Sequence, residues 1–237
     1  MGDLKLGLAQ GYWGAAPNPN FVEMAQEAER LGFDSVWSAE AWGNDAFTPL
    51  CWIGAQTEKI KLGTAVVQLS GRTPTSCAMH ALSLDYLSNG RFQLGLGVSG
   101  PQVVEGWYGR PFPKPLARTR EYIDIIRQVF KREGPVTNDG PHYPLPYPGD
   151  DGLGLGKPLK PITHPLRNEI PIYLGAEGPK NIALATEICD GWIPLFYNPY
   201  DESVYAESLV NMRPDFDIAQ MVQVNVTDDV EAGLVGF

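Results

Sequence analysis

Short apolar runs alternate along the chain with longer stretches in which apolar residues recur every three or four positions. The runs with the length and the apolar or β-branched character of strands are residues 4–10, 34–39, 60–68, 91–98, 170–176, 191–197 and 218–226. Most of them are apolar almost throughout, which is typical of parallel strands buried on both faces. The pattern therefore predicts a parallel sheet covered by helices.

Helical spacing fills the intervals between these runs. The first predicted helix opens at Asn18-Pro19, with proline at the first helical position, and Gly32 ends it. The remaining helices are predicted at about 48–57, 74–87, 115–132 and 179–190. Strand and helix alternate without interruption, which predicts a parallel α/β fold forming one domain over residues 1–237.

Four of the predicted strands carry an internal glycine and lead into an irregular loop: LGLAQG, LGTAVV, LGLGVSG and YLGAEG. Glycine weakens a strand unless close backbone approach requires it, so we expect these loops to converge on one ligand. This arrangement predicts a (β/α)8 barrel with its site at the carboxyl ends of the strands. Seven strands are readable, so the predicted barrel is incomplete, and Thr227–Val230 has the pattern of a helix start.

Residues 134–170 interrupt the alternation between the fourth predicted helix and the fifth strand. The segment is rich in proline and glycine, and its GLGLGK piece has neither the spacing nor the Ser/Thr of a nucleotide-binding P-loop. We expect an ordered excursion that starts on the face opposite the active site and packs on the barrel or on a partner subunit.

Composition narrows the class of protein. The 237 residues carry a net charge of −10, which argues against a nucleic-acid surface. No apolar run is long enough to cross a bilayer, and the first residues lack a signal-peptide pattern. The cysteines, Cys51, Cys77 and Cys189, are too widely spaced for a disulfide framework or a zinc site. We therefore expect a cytoplasmic protein with no membrane or nucleic-acid partner.

The usual catalytic constellations are missing from the sequence. His80, His142 and His164 lie far apart, and neither a hydrolase triad nor a metal site has support. Loops built for close approach, without such catalysts, favour a cofactor that performs the chemistry itself.

The stretch GLGVSGPQ spells the dinucleotide-binding pattern G-x-G-x-x-G with Gly95, Gly97 and Gly100. It follows the fourth strand instead of the first, and Pro101 comes next. The next clear helix is predicted about 15 residues later, whereas a true fingerprint opens its helix within the motif. A Rossmann loop is therefore disfavoured.

The stretch YLGAEGPKN is a better candidate for a phosphate site. Its strand passes through Gly175–Gly178 directly into a helix at Pro179, so free N–H groups and the helix dipole would point toward the ligand. Lys180 could add charge. The alternative is a tight turn that binds nothing.

Four segments, SVWSAEAWGNDAFTPL, LGTAVVQLSGRTP, LSNGRFQLGLGVSGPQVVEGW and PIYLGAEGPKN, occur in this order and spacing. Together they resemble the luciferase-like flavin and deazaflavin family, and more narrowly its branch that uses the deazaflavin coenzyme F420. The resemblance covers essentially the whole chain. It implies a (β/α)8 barrel that is usually longer than this chain.

The resemblance implies a bulge in the third strand beneath the cofactor ring, commonly with a non-prolyl cis peptide. Here that bulge corresponds to Thr64, Ala65 and Val66, with the cis bond at Ala65–Val66, and Gln68 belongs to the same site. Glu40 matches an acidic residue near the hydroxyl edge of the ring. Members often carry a histidine as a proton donor at the next position, and Ala41 in its place counts against sugar-phosphate chemistry.

Further cofactor-binding positions are implied along the ring and the phosphate. They are Val98, Ser99, Gly100, Gln102 and Val104 in the fourth-strand loop and Ala176, Glu177 and Gly178 in the phosphate turn. Glu40 and Glu105 are the candidate catalytic residues. Glu105 could be a general acid or could cap the following turn. Trp13, Trp42 and Trp107 could wall the substrate pocket or pack in the core.

The resulting expectation is an oxidoreductase that moves a hydride between coenzyme F420 and a small organic substrate, acting as a homodimer without a metal. One alternative is an FMN-dependent monooxygenase. The other is a truncated flavin-binding protein without catalytic activity.

Overall fold

Every strand of the sheet runs parallel to its neighbours. In the computed structural model, which describes residues 4–233, the strands are β1 (Gly7–Gly11), β2 (Ser35–Ser38), β3 (Lys61–Thr64), β4 (Val67–Gln68), β5 (Phe92–Gly97), β6 (Ile172–Gly175), β7 (Gly191–Ile193) and β8 (Asp217–Ile218). β3 and β4 are two halves of one interrupted barrel strand, so the predicted seven strands are confirmed.

The order of the strands identifies the winding. The sheet runs β1-β2-β3-β5-β6-β7-β8, with β4 paired to β5. Each strand therefore follows the preceding one in chain order, as in a (β/α)8 barrel, whereas a Rossmann sheet reverses its order at a switch point. Within residues 4–233, β1 and β8 remain the two edges of an incomplete barrel, as the sequence predicted.

Helices follow the strands and cover the outside of the sheet. They are α1 (Phe21–Arg30), α2 (Phe47–Gly54), α3 (Pro74–Leu87), α4 (Pro101–Gly106), α5 (Pro115–Lys131), α6 (Pro179–Ile188), α7 (Ala206–Leu209) and α8 (Val230–Gly233). None of the helices in the described part of the chain has the length and apolar character needed to cross a membrane.

The core lies between the sheet and these helices. All six residues of β5 are buried, as expected for a central parallel strand. On α5, the side chains of Tyr122, Ile126 and Phe130 recur at helical spacing and are fully buried. Each such side chain stabilises the fold by about 1.5–3 kcal/mol through the removal of apolar surface from water.

Three sequence predictions were wrong in detail. The predicted strand 218–226 is a strand only over Asp217–Ile218, and beyond it Val222, Val224 and Val226 are exposed, because β8 has a neighbour on one side alone. The first helix begins at Phe21, two residues after Pro19. The short helix α4, absent from the prediction, follows Gly100 directly.

The Pro/Gly-rich excursion 134–170 is ordered and packs on the barrel, as expected. Single antiparallel bridges join Val136 to Leu159 and Asn138 to Leu145. The Glu121 carboxylate of α5 accepts the N–H groups of His142 (3.0 Å) and Tyr143 (3.1 Å). The segment thus runs back along α5 toward the carboxyl end of the sheet, although it starts on the opposite face.

Candidate functional site

A bulge interrupts the third barrel strand where the sequence placed it. Leu62 pairs with Phe92 but Val67 pairs with Leu96, so the strand carries one extra residue between the two pairs. The peptide bond Ala65–Val66 is cis, which confirms the expected position.

The Thr64 side chain forms hydrogen bonds to β5 where the bulge interrupts the backbone pairing. Its buried hydroxyl donates to the carbonyl oxygen of Gly95 (2.9 Å) and accepts the N–H of the same residue (2.8 Å). A Cβ at Gly95 would overlap the Thr64 carbonyl oxygen. Thr64 and Gly95 therefore hold the bulge against β5 through contacts that no larger residue at position 95 allows.

Val66 forms the floor of the site. A Cβ at Gly97 would overlap its side chain, and a Cβ at Gly175 would lie 3.1 Å from its Cγ1. Because Val66 is only half-buried, one side of it remains open above the ends of β5 and β6. The two strand-end glycines thus make room for the bulge residue.

Glu40 ties the loop after β2 to the bulge. Its carboxylate accepts N–H groups of Gln68 (2.8 Å) and Ala46 (3.1 Å), and the Arg72 guanidinium donates to both carboxylate oxygens (2.8 and 2.9 Å). The Glu40 side chain is 3% exposed. Since each oxygen already has two donors, the first effect of Glu40 is to position the loop, and its catalytic role stays a prediction.

Arg72 neutralises two acids. Besides Glu40 it lies 3.7 Å from the Asp45 carboxylate, and its guanidinium sits 5.2 Å from the centre of the Phe47 ring. Burial, the largest single influence, would lower the pKa of Arg72, but the Glu40 carboxylate with smaller contributions from Cys77 and Asp45 raises it overall. Arg72 therefore stays charged and committed to its partners.

Gln68 leaves one polar atom without a partner. Its side-chain amide donates to the carbonyl oxygens of Glu40 (3.1 Å) and Ala41 (3.3 Å). Its buried Oε1 accepts no hydrogen bond from any residue that the structure describes. Buried polar atoms are usually paired, so this acceptor fits a ligand that brings a donor.

The loop after β5 turns sharply and enters α4. Ser99 has a φ of 58°, and Gly100 is the N-cap with Pro101 at the first helical position. Val104 is buried, whereas Gln102 and Glu105 are exposed. A Gly-Pro pair is a helix-start signal, so Gly100 and Pro101 could have predicted the start of α4. The order of the strands still excludes that fold.

The turn between β6 and α6 leaves backbone donors open. Gly178 is the N-cap of α6, and among residues 4–233 no acceptor contacts the N–H groups of Gly178 and Lys180. A Cβ at Gly178 would have open space around it. The neighbouring residues are fixed, because the Ala176 carbonyl accepts the indole N–H of Trp192 (2.7 Å) and Glu177 accepts the N–H of Leu195 (2.6 Å). This geometry suits a phosphate.

Within the described residues, no group of three or more His, Cys, Asp or Glu side chains could hold a metal ion. His80, one of the scattered histidines, lies on the exposed side of α3, where its ring contacts Phe47 at 5.2 Å.

Comparison with known proteins identifies the family of the chain. The model of the luciferase-like monooxygenase family matches residues 7–233. The chain belongs to the luciferase-like monooxygenase family.

Relatives in this family include proteins named for coenzyme F420. A Mycobacterium tuberculosis protein with the provisional name coenzyme F420-dependent oxidoreductase Rv3520c is 62% identical, over 99% of this chain and 70% of its own length. The 5,10-methylenetetrahydromethanopterin reductase of Methanolobus tindarius is 33% identical, over 81% of this chain and 55% of its own length. The chain thus spans only part of each relative.

A solved structure confirms the barrel fold of the luciferase-like family. The coenzyme F420-dependent tetrahydromethanopterin reductase of Methanopyrus kandleri superposes with a TM-score of 0.76 at 23% identity. The match covers 92% of this chain and 65% of that one.

Tyr108, which lies beside Ala41, was not identified as a site residue from the sequence. The Tyr108 hydroxyl donates to the carbonyl oxygen of Ala41 (3.4 Å) and its ring packs over Gly71. Burial and then the Glu40 carboxylate raise the pKa of Tyr108, and Arg72 offsets part of this rise. No motif points to Tyr108, because the contact spans the loops of two strands.

The three candidate pocket tryptophans differ in exposure. Trp42 and Trp107 are each 62% exposed, and Trp13 is half-buried with its backbone N–H on the Asn44 side chain (2.7 Å). The predicted alternative, that these tryptophans pack in the core, is therefore wrong for Trp42 and Trp107. Their role as pocket walls stays a prediction.

Proposed function

We propose that the chain binds coenzyme F420 at the carboxyl ends of its strands and transfers a hydride between it and a small organic substrate. The observation that carries the proposal is the placement of the Val66 floor beside the open N-terminus of α6. A flat ring and a phosphate group would find complementary surfaces at the ends of the two strands that flank β5. The names of the relatives support the same cofactor.

The residues fit the groups of such a cofactor. The phosphate would take the open N–H groups of Gly178 and Lys180, with the Lys180 ammonium nearby. The ring would lie over Ala65 and Val66, and the buried Oε1 of Gln68 would accept a donor from it. In this proposal Val98, Ser99, Gly100, Gln102 and Val104 border the ring and its side chain, and Ala176 and Glu177 border the phosphate.

When bound, the deazaflavin supplies a carbon that accepts or donates a hydride. The contribution of the chain is geometry, because hydride transfer needs the two reacting carbons held in contact. Thr64 fixes the floor to β5, and the Glu40–Arg72 pair fixes the loop after β2 to the floor. Glu105, exposed on α4, is the proposed group that exchanges the proton.

A cofactor titration tests the proposal. The indole N–H of Trp192 donates to Ala176 in the proposed phosphate turn, so its fluorescence should report binding there. We expect saturable quenching by F420 and weaker quenching by FMN. Tight FMN binding without a response to F420 would overturn the proposal and favour the FMN-dependent monooxygenase.

A second candidate is a flavin-binding protein without catalytic activity, in which the open Oε1 of Gln68 and the open N–H groups of the α6 turn would serve binding alone. Both candidates bind a cofactor, so binding alone does not separate them. Oxidation of reduced F420 by a panel of ketones and activated alkenes does, because a binder would leave the absorbance of the cofactor unchanged. The proposal also includes a cytoplasmic location and a homodimer. Light scattering on the purified chain tests whether it is a dimer.

A further inference from the structure

Charge is distributed unevenly around the carboxyl ends of the strands. The loop after β1, residues 12–20, has no charged side chain. The loop after β2, residues 39–46, has only Glu40 and Asp45, and Arg72 contacts both at 2.8 and 3.7 Å. Arg72 is also the one cation in the segment 69–73 that follows β4. These three segments, one half of the site, therefore carry no cation that is free to bind an anion.

Large aromatic side chains occupy the same half. Trp42 and Trp107 are 62% exposed and Tyr12 is 60% exposed. Hydrogen bonds join their loops: the Trp13 N–H donates to the Asn44 side chain, and the Tyr108 hydroxyl donates to the Ala41 carbonyl. Trp42 follows Ala41 and Trp107 precedes Tyr108, so the second hydrogen bond brings together the two segments that carry the exposed indoles.

A cation and open N–H groups lie on the other half, at the start of α6. Lys180 is exposed there, beside the open N–H of Gly178. An anionic group would bind on this side, which the proposed phosphate of the cofactor already uses.

We infer that the aromatic half of the mouth binds a bulky, uncharged, apolar substrate against Trp42 and Trp107. The inference rests on the proposed function, because it assumes that the cofactor phosphate takes the cationic half. Apolar rings gain from covering exposed indole surface. A phosphate or carboxylate placed there would lose its hydration without gaining a cation.

Calorimetric titration of the chain saturated with F420 tests the inference. The probes are cyclododecanone, a bulky uncharged ketone, and glucose 6-phosphate. We expect cyclododecanone to bind and Trp42→Ala and Trp107→Ala each to weaken it about tenfold, since an indole is a large contact surface. The matched control is Trp52→Ala, which removes a tryptophan of the same exposure, 61%, from α2 and should leave the affinity unchanged.

The outcomes separate this inference from the proposed function. If F420 itself fails to bind the unmodified chain, the proposed function fails. If F420 binds and cyclododecanone does not, or if glucose 6-phosphate binds more tightly than cyclododecanone, only the inference is overturned. Equal weakening by all three tryptophan variants would also overturn it, because binding would then be spread over the surface.

Discussion

Two strand ends carry glycines for opposite reasons. At the end of β5, the space beside Gly95 and Gly97 is filled by Thr64 and Val66 of the bulge. At the start of α6, the space beside Gly178 is empty and the N–H groups there have no acceptor in the described chain. The first glycines allow the protein to approach itself, whereas the second allows a ligand to approach the protein.

This difference separates a closed side of the site from an open side. On the closed side, Glu40 pairs with Arg72 and Thr64 bonds to Gly95 of β5, so substitutions there should be costly for the fold. On the open side, substitutions should leave the fold intact and change binding. Four substitutions test the separation.

Arg72→Met should have the largest effect. It leaves the buried Glu40 carboxylate without its cation, which we expect to lower the free energy of unfolding by about 3–5 kcal/mol at neutral pH. Urea denaturation measures the loss. The matched control, Arg120→Met, breaks an exposed pair with Glu187, which water screens, and should cost much less. Equal losses in the two variants would show that burial of the Glu40 pair does not matter.

Gly95→Ala should come next. Its methyl group would overlap the Thr64 carbonyl oxygen, which belongs to the backbone and cannot turn aside. We expect a loss of about 3 kcal/mol, at the upper end for overpacking. Thermal unfolding measures it, with Gly178→Ala as the control, since that methyl group enters open space. A stable Gly95→Ala protein would mean that the bulge is not held as described.

Gly178→Asp should change binding and spare the fold. The new carboxylate would lie beside the proposed phosphate, so we expect F420 to bind at least about tenfold more weakly, or about 1.4 kcal/mol. Gly134→Asp, at an equally open glycine after α5, is the control for the added charge. Unchanged F420 affinity in Gly178→Asp would place the phosphate elsewhere.

Asp45→Asn should have the smallest effect and a defined pH dependence. Burial would raise the pKa of Asp45, but hydrogen bonds from Thr48 and Phe47 and the charge of Arg72 lower it overall. Its contribution to stability is therefore present above its ordinary pKa of 3.8 and is lost as the pH falls through the lower folded value. Asn keeps the acceptor oxygen and removes only the charge beside the start of α2, so we expect a loss of about 0.3–1 kcal/mol at pH 7 and none in acid. A loss that persists in acid would argue against a charge effect.

Much of the barrel was predictable because its signals are local. Proline at the first turn marks α3 and α6, and continuous apolar runs mark β5 and β6. The run 218–226 misled because β-branched residues favour a strand only where a neighbouring strand supplies hydrogen bonds. Here the pairing ends at Ile218.

The site was predictable where a residue type carries the geometry. The bulge followed from the family resemblance, and the open turn at Gly178 from a strand leading into a helix. The ion pair between Glu40 and Arg72 was not predictable, because it joins loops 32 residues apart in the chain. Tyr108 was missed for the same reason: its partner Ala41 lies 67 residues away.

The anchoring of the excursion on α5 has a consequence for chain entropy. β5 ends at Gly97 and β6 begins at Ile172, yet the two strands must pair. Closing a flexible loop costs only about 0.6 kcal/mol more for each doubling of its length, and the bonds of Glu121 to His142 and Tyr143 shorten the free segment further. Residues can therefore be added between Asp150 and Lys157, an exposed stretch between the bridges at Leu145 and Leu159, with little penalty to the pairing of β5 and β6.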